Sequence, residues 1–379
     1  PVFPGEPLVK VRGPVIQAQM IETMLLLSIN HQSLIATKAN RIVRAAEGRP
    51  VMEFGSRRAQ GADGAVLGAR AAYIGGVAGT SCTLGGRQFS IPLSGTMAHS
   101  WVQLFDGEFE AFRAYAESFP DATVLLLDTY NVLKSGVPNA IRTAREVLMP
   151  RGFRLKGVRI DSGDLAYLSR KTRAALDEAG LTDCRIIASN ALDEAIIRDL
   201  VVQGAAIDAF GVGERLITSR SEPVFGGVYK MAAVIRKDVV SPRFKISENP
   251  GKITNPGGKS LWRLYDRESG KALADVIALA EERIDPAAPY ELFDPIHTWK
   301  RKTVRDFVAR PLLEPLFRNG RRVAPRKDLR TLRDDCAREV GTLWDTILRM
   351  ENPSTYYVDL SQSLWDLKDR MLRQYGHRL

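Results

Sequence analysis

Histidine is scarce in this chain: four residues, His31, His99, His297 and His377, in 379. None has the H-x-x-x-H spacing of a zinc pair. Cysteine is scarcer. Cys82, Cys184 and Cys336 lie far apart, are odd in number and include no C-x-x-C. This argues against a disulfide framework or a zinc knuckle and fits a reducing cytoplasm. No apolar stretch reaches the roughly 20 residues of a membrane span; the most apolar run, MIETMLLLSI, is short and interrupted by Glu22. The opening PVFPGEPLVKVRGP has no basic region leading into an apolar core, so it does not read as a signal peptide. It also lacks an initial Met and reads as an edge strand cut from its sheet. Internal repeats and low-complexity tracts are missing too.

Positive charge is in excess. Lys and Arg total 54 against 44 Asp and Glu, a net charge of +10. Such a balance points to anionic partners, either nucleic acid or small phosphorylated molecules. The dense basic run RNGRRVAPRKDLRTLR (318–333) reads as a solvated loop and helix rather than a nucleic-acid reading head. The composition, 45% hydrophobic and 26% charged, is that of a globular chain with one large domain and a smaller one, or two to three domains.

Residues 16–46 have helical spacing without Pro or Gly and predict one long helix or two shorter ones. A series of strand-then-helix units follows. The predicted strands are PVMEFG, RQFSIPLSGTMAHS with its exit turn, ATVLLLDTYN, LKGVRIDSGD, CRIIASNALD and AIDAFGVGERL; the intervening segments, such as GEFEAFRAYAESF and LAYLSRKTRAALDEAG, are amphipathic helices. This alternation signals βα units around a parallel sheet. Open sheets and closed barrels both fit. The strand ends favour a barrel, because nearly every strand runs out into polar or glycine residues: Arg57, His99, Asp128, Asp161 with Asp164, Ser189 with Asn190, Gly211 with Gly213. In a βα barrel such ends share one face. After about residue 220 the pattern turns to strands with Gly, Pro and Asn turns, and from 300 onward charged segments, including KTVRDFVARPLLEPLFRNG, read as helical. The predicted architecture is an irregular, incomplete TIM-like α/β barrel with a smaller β-rich accessory domain. Its parts are a remnant of the accessory domain (1–15), a helical connection (16–46), the catalytic barrel (47–235), the accessory domain's return (236–300) and a helical C-terminal region (301–379).

The strand ends carry several readings. In VRIDSGDL, Arg159 and Asp161 point to the same side of a strand, and Asp164 suits a helix N-cap. Either the carboxylates hold Mg²⁺, with a polyphosphate supplying the other ligands, or Asp164 is only a cap and Arg159–Asp161 an ion pair. The turns FGVGERL and VFGGVYKM could cradle phosphate with backbone N–H groups, although neither matches a Walker loop or G-x-G-x-x-G. Arg57 suits a phosphate or carboxylate, and Phe54 could stack on a flat ring; the alternative is a core Phe beside surface arginines. His99 is open to three roles: a satisfied core histidine, a general acid/base or a nucleophile.

EFGSRRAQG, GTMAHS, LLLDTYN, GVRIDSGDL, ASNALDE, DAFGVGE and FGGVYKM, in this order, closely resemble the nicotinate phosphoribosyltransferase family, from FPGEPLVKVRGP to YYVDLSQSLWDLKDRML. The resemblance implies an incomplete α/β barrel with a β-rich accessory domain, working as a homodimer with shared active sites. It implies a cytoplasmic, ATP-coupled enzyme of NAD salvage that joins nicotinate to 5-phosphoribosyl 1-pyrophosphate (PRPP) with Mg²⁺. His99 matches the histidine that becomes phosphorylated. Arg57 matches an arginine near the mononucleotide phosphate and Phe54 the ring-stacking position. Arg159 resembles the arginine facing the pyridine ring, and Asp161 the acid beside ribose and metal. Ser189, Asn190, Gly211 and Gly213 lie where loops hold the phosphoribosyl phosphate, and Lys230 resembles a basic residue reaching towards pyrophosphate. Ser81 stands where the similar nicotinamide enzyme carries an aspartate; a hydroxyl can donate to a carboxylate, whereas an aspartate would repel it, so nicotinate is favoured. The family also carries an N-terminal stretch with a Tyr-containing motif that stacks on nicotinate from the neighbouring subunit, and the resemblance reads this sequence as lacking it. Alternatives are a nicotinamide or quinolinate phosphoribosyltransferase, or a non-catalytic relative; no nucleic acid or membrane partner is implied.

Overall fold

The computed structural model describes residues 1–248 and 253–376; His377 and the segment NPGK (249–252) lie outside them. The chain divides into two compact units, one of Ser28–Gly226 with Asp328–Asp334, the other of Pro1–Leu27, Gly227–Lys327 and Asp335–Leu379. No described helix is long and apolar enough to cross a membrane.

The first unit is built on six strands: β1 (Val51–Glu53), β2 (Gly79–Thr80), β3 (Val124–Leu126), β4 (Gly157–Ile160), β5 (Arg185–Ala188) and β6 (Ala209–Val212). All pairings are parallel, in the order β2-β1-β6-β5-β4-β3. The strands are short and almost wholly apolar because helices cover them; Leu125, Leu126, Val158 and Ile186 are fully buried. The first and last strands pair, with Glu53 opposite Val212. Helices between them present one apolar face each. Leu165–Glu178 buries Leu165, Ala166, Ser169, Thr172 and Leu176, an i, i+4, i+7, i+11 stripe. Its N-terminus is capped by Asp164, whose carboxylate accepts from the Tyr167 N–H at 2.9 Å. Asp193 caps Glu194–Val202 in the same way.

Two predicted elements differ. RQFSIPLSGTMAHS is not a strand: RQF completes the helix Thr83–Phe89, Ser90 turns with φ 57°, and only a single parallel bridge, Thr80 with Leu93, joins the sheet. Pro92 brings no N–H to a ladder, so pairing stops after Thr80 N–H to Pro92 O and Ser94 N–H to Thr80 O. His99 then opens the helix His99–Gln103 instead of ending a strand.

In the second unit a four-stranded sheet runs Phe307–Pro311, Lys259–Asp266, Ala272–Leu279, Val358–Leu360, the first three antiparallel and the last parallel to its neighbour. Trp262, Leu264, Val276, Leu292 and Phe307 form its core. The segment KTVRDFVARPLLEPLFRNG, expected to be helical, instead forms the strands Arg301–Val304, Phe307–Pro311 and Phe317–Arg318. Its β-branched and aromatic residues fit a half-buried sheet surface, and Pro311 and Pro315 deny it a helix interior. Helices Leu329–Gly341 and Gln362–Gly376 form in the segments expected to be helical.

Buried Asp359 sits in this unit's strand Val358–Leu360. Burial raises its carboxyl to about 7, the charge of Asp294 adds to the shift, and the Phe293 N–H partly offsets it. The folded chain therefore binds this proton more tightly than the unfolded one, so the contribution to stability falls as pH rises from the ordinary carboxylate range through 7. Asp359→Asn is expected to be more stable than the parent at about pH 8 and to lose this slope. Urea unfolding at about pH 5 and about pH 8 measures it; equal pH slopes in parent and variant would show that Asp359 titrates normally in the fold.

Candidate active site

The C-terminal ends of β3 to β5 bring a charged cluster together. Arg159, in β4, is the hub. Its Nε donates to Ser189 Oγ at 2.8 Å, Nη1 to Thr96 Oγ1 at 2.8 Å and Nη2 to Asp161 Oδ1 at 2.8 Å. All three arms of the guanidinium fork are thus fixed by groups from three segments of chain. The guanidinium also lies 5.8 Å from the centroid of the Phe54 ring. Ser189 is buried and its hydroxyl donates to the same Asp161 oxygen. Asp161 is pushed up by burial, but the Arg159 charge, the Ser189 hydroxyl and, more weakly, His99 outweigh this and hold it below the usual carboxylate range.

His99 faces this cluster from the first turn of its helix. Its Nδ1 lies 3.1 Å from Thr129 Oγ1, and its Nε2 is 3.6 Å from Asp161 Oδ2 and 4.0 Å from Asp128 Oδ1. The ring is 41% exposed, so a ligand can reach it. Asp128 lies two residues past the end of β3. Its Oδ2 accepts from the Asp161 N–H at 3.1 Å and the Ser162 hydroxyl at 2.5 Å, while its buried Oδ1 has no hydrogen-bond partner. Two carboxylates therefore converge on one imidazole nitrogen, and one carries an unsatisfied lone pair.

Phe54, after β1, is half-buried. Gly211 makes room for it: a Cβ there would lie 2.5 Å from the ring. Gly211 is thus a residue inside β6 and the seat of an aromatic ring, not part of a turn. Gly213 follows β6, its carbonyl close to Gly55, where a Cβ would come within 2.7 Å of that oxygen. Arg57 and Ser81 are exposed, Arg57 on the 3₁₀ turn Ser56–Arg58. Asn190 is exposed and holds φ 116°, a strained conformation of the kind found at ligand-holding turns. Lys230 belongs to the second unit, where it is exposed and donates to the Tyr229 carbonyl at 2.9 Å. Asp164 is engaged as a helix cap. The structure thus gathers His99, Arg159, Asp161 and Ser189 in direct contact, with Phe54 against Arg159. It adds Thr96 and Thr129 as direct partners of Arg159 and His99, and it brings in Asp128, which sequence reading placed among the polar strand ends without giving it a specific role.

Parallel strands ending in arginine, aspartate, serine and an accessible histidine, beside a seated aromatic ring, define an α/β protein that handles small anionic and aromatic molecules. The family model "Nicotinate phosphoribosyltransferase (NAPRTase) family" matches residues 50–269, and that of the nicotinate phosphoribosyltransferase C-terminal domain matches 258–368. Nicotinate phosphoribosyltransferase of Bacillus subtilis (strain 168) is 42% identical over 380 residues, covering 100% of this chain and 76% of that protein. One from Mycobacterium tuberculosis is 42% identical over 322 residues, covering 85% of this chain and 62% of its own length. The crystal structure of human nicotinic acid phosphoribosyltransferase superposes with a TM-score of 0.81 at 30% identity, over 97% of this chain and 80% of that one. The chain belongs to the nicotinate phosphoribosyltransferase family.

Proposed function

We propose that this chain joins nicotinate to PRPP, giving nicotinate mononucleotide and pyrophosphate, and couples the step to ATP hydrolysis through a phosphorylated His99. The observation that carries the reading is the His99–Asp161–Arg159–Ser189 cluster beside Phe54. The pyridine nitrogen is itself the nucleophile at ribose C1 and needs no base. The departing pyrophosphate and the oxocarbenium-like ribose call for positioning and charge stabilisation, which is what a fully braced Arg159 and an ionised Asp161 supply. His99 is then free for phosphoryl transfer. Asp161 and Asp128 beside Nε2 favour the tautomer with its proton there. Nδ1, next to the Thr129 hydroxyl, keeps the lone pair that attacks the γ-phosphorus of ATP. ADP leaves as that N–P bond forms, and water later releases phosphate.

Phe54 stacks on the pyridine ring, and Ser81 donates to its carboxylate. Arg57 takes the phosphoribosyl phosphate together with the turns at Ser189–Asn190 and Gly213. Arg57 has no hydrogen bond or ion pair among the described residues, which suits a ligand-facing group. A divalent cation such as Mg²⁺ fits the free Oδ1 of Asp128 and the Asp161 carboxylate, with Asp164 contributing only an oxygen left over from capping. No group of three His, Cys, Asp or Glu side chains among the described residues could hold a metal ion by itself, so phosphate oxygens would complete its shell. Such an ion would neutralise charge on the phosphates.

The incomplete barrel is supported by the pairing of the first and last strands and by the strand order, which is interrupted only where the Leu93 segment and the His99 turn intervene between β2 and β3. The homodimer is supported by an exposed apolar stripe, Ile16, Met20, Met24 and Leu27, each more than 60% exposed, of the kind that marks an interface. The deciding experiment is competition between nicotinate and nicotinamide for PRPP by the purified enzyme. Nicotinate is expected to win by at least about 100-fold, and Ser81→Asp to reverse much of that preference. A parent enzyme that prefers nicotinamide would overturn the assignment.

A further inference from the structure

Glu53, the last residue of β1, is a fully buried carboxylate with no role in the chemistry above. No Lys or Arg pairs with it among the described residues. Its Oε1 instead accepts the Gly55 N–H, and its Oε2 accepts the Thr80 hydroxyl at 2.5 Å. Thr80 Oγ1 in turn accepts the Cys82 N–H at 3.0 Å, which leaves its hydroxyl proton for Glu53. The backbone repeats the connection, since the Ser81 N–H donates to the Glu53 carbonyl at 2.9 Å. One side chain thus ties the turn Phe54-Gly55 to the turn Ser81-Cys82. Gly55 has little freedom to compensate, because a Cβ at that position would lie 2.6 Å from Ile217.

We propose that Glu53 is a positioning residue that sets the distance between the Phe54 ring and the Ser81 hydroxyl, and so the width of the slot that accepts a flat aromatic carboxylate. This rests on the reading of Phe54 and Ser81 as the nicotinate contacts. A residue needed only for folding would carry no preference for which substrate it affects. Glu53 touches the two turns assigned to the pyridine ring, whereas the Ser189–Asn190 and Gly213 turns assigned to the phosphates leave from β5 and β6, and Arg57, though it follows the braced Gly55, has an exposed side chain that Glu53 does not touch. Burial raises the Glu53 carboxyl, and its Thr80 and Gly55 partners offset this only in part. A neutral or weakly ionised acid still accepts both bonds, so the brace needs no counter-charge.

The test uses the whole enzyme and steady-state kinetics with nicotinate and PRPP varied separately. Glu53→Gln keeps an acceptor for Gly55 but turns an NH₂ towards Thr80. It is expected to raise KM for nicotinate about tenfold while leaving KM for PRPP within about twofold. Thr80→Val removes the hydroxyl at constant shape and is expected to give the same split; Thr80→Ser restores the hydroxyl and the parental KM. Equal rises in both KM values, unchanged kinetics in Glu53→Gln, or matching behaviour of Thr80→Val and Thr80→Ser would each overturn the proposal. If the parent does not turn over nicotinate, the reading of the site fails instead, and amide hydrogen exchange then decides on Glu53. Faster exchange in Glu53→Gln confined to the segments around Gly55 and Cys82 supports the brace, and unchanged exchange there overturns it.

Discussion

His99→Ala is expected to abolish both the incorporation of label from γ-labelled ATP and the stimulation of turnover by ATP, while slow, uncoupled transfer from PRPP to nicotinate persists. The label on the parent should be acid-labile and base-stable, the signature of a phosphorylated imidazole nitrogen. The physical basis is the division of labour in the cluster. Arg159, Asp161 and Ser189 bond one another through contacts that exclude the imidazole, so removing His99 leaves the phosphoribosyl chemistry its charge and shape. An absence of label in the active parent enzyme would sink the phosphohistidine mechanism. A variant that loses all transfer, coupled and uncoupled alike, would show that His99 acts on the ribose step itself.

Asp275→Asn is expected to cost about 3–5 kcal/mol in the second unit. Asp275 and Arg263 are 0% and 1% exposed and bond at 2.6 and 2.7 Å in a two-pronged pair. Tyr356 donates to the same carboxylate at 2.8 Å, and the stacked rings of Phe3 and Tyr356 lie beside the guanidinium. Neutralising the carboxylate strands a guanidinium that water cannot reach. Replacing both partners with apolar residues, Arg263→Met with Asp275→Leu, is expected to recover most of the loss, because the cost comes from the unpaired charge. Urea unfolding followed by tryptophan fluorescence reports this unit, since Trp262, Trp299, Trp344 and Trp365 all lie in it. A single variant within about 1 kcal/mol of the parent would show that water reaches the pair.

Much of the frame was legible because parallel strands covered by helices must be apolar throughout. VLLL and GVRI could hardly be anything else, and the polar residue after each marks the strand end where Arg159, Asp161 and Ser189 meet. The His99 segment was harder to read. SIPLS has the composition of a strand, but a single proline at 92 reduces it to one bridge. The region from 301 to 322 misled through charge: Arg and Lys at intervals looked like a solvated helix face, whereas Val304 and Phe307 were being buried by a sheet. The partners that orient the site left no trace in the sequence. Thr129 and Thr96 reach His99 and Arg159 across 30 and 63 residues of chain, and a threonine in a turn looks the same whether it holds a guanidinium or a water molecule. Glu53 was hidden for the opposite reason: it belongs to the quoted motif EFGSRR, where the aromatic and the arginines draw the attention.

The pairing of β1 with β6 also dictates when this site can exist. Phe54 donates its backbone N–H to the Val212 carbonyl and takes its seat from Gly211, so the ring's place is unfinished until residues near 213 are in place. Closing so long a stretch of chain is slow and pays its entropy before the contact rewards it. During synthesis, a ribosome that has released β1 to β5 has produced the charged residues of the cluster, His99, Asp128, Arg159 and Asp161, but not the glycine that seats the Phe54 ring. Competence for substrate therefore arrives late and all at once, and a chain interrupted just before β6 is expected to hold no trace of it.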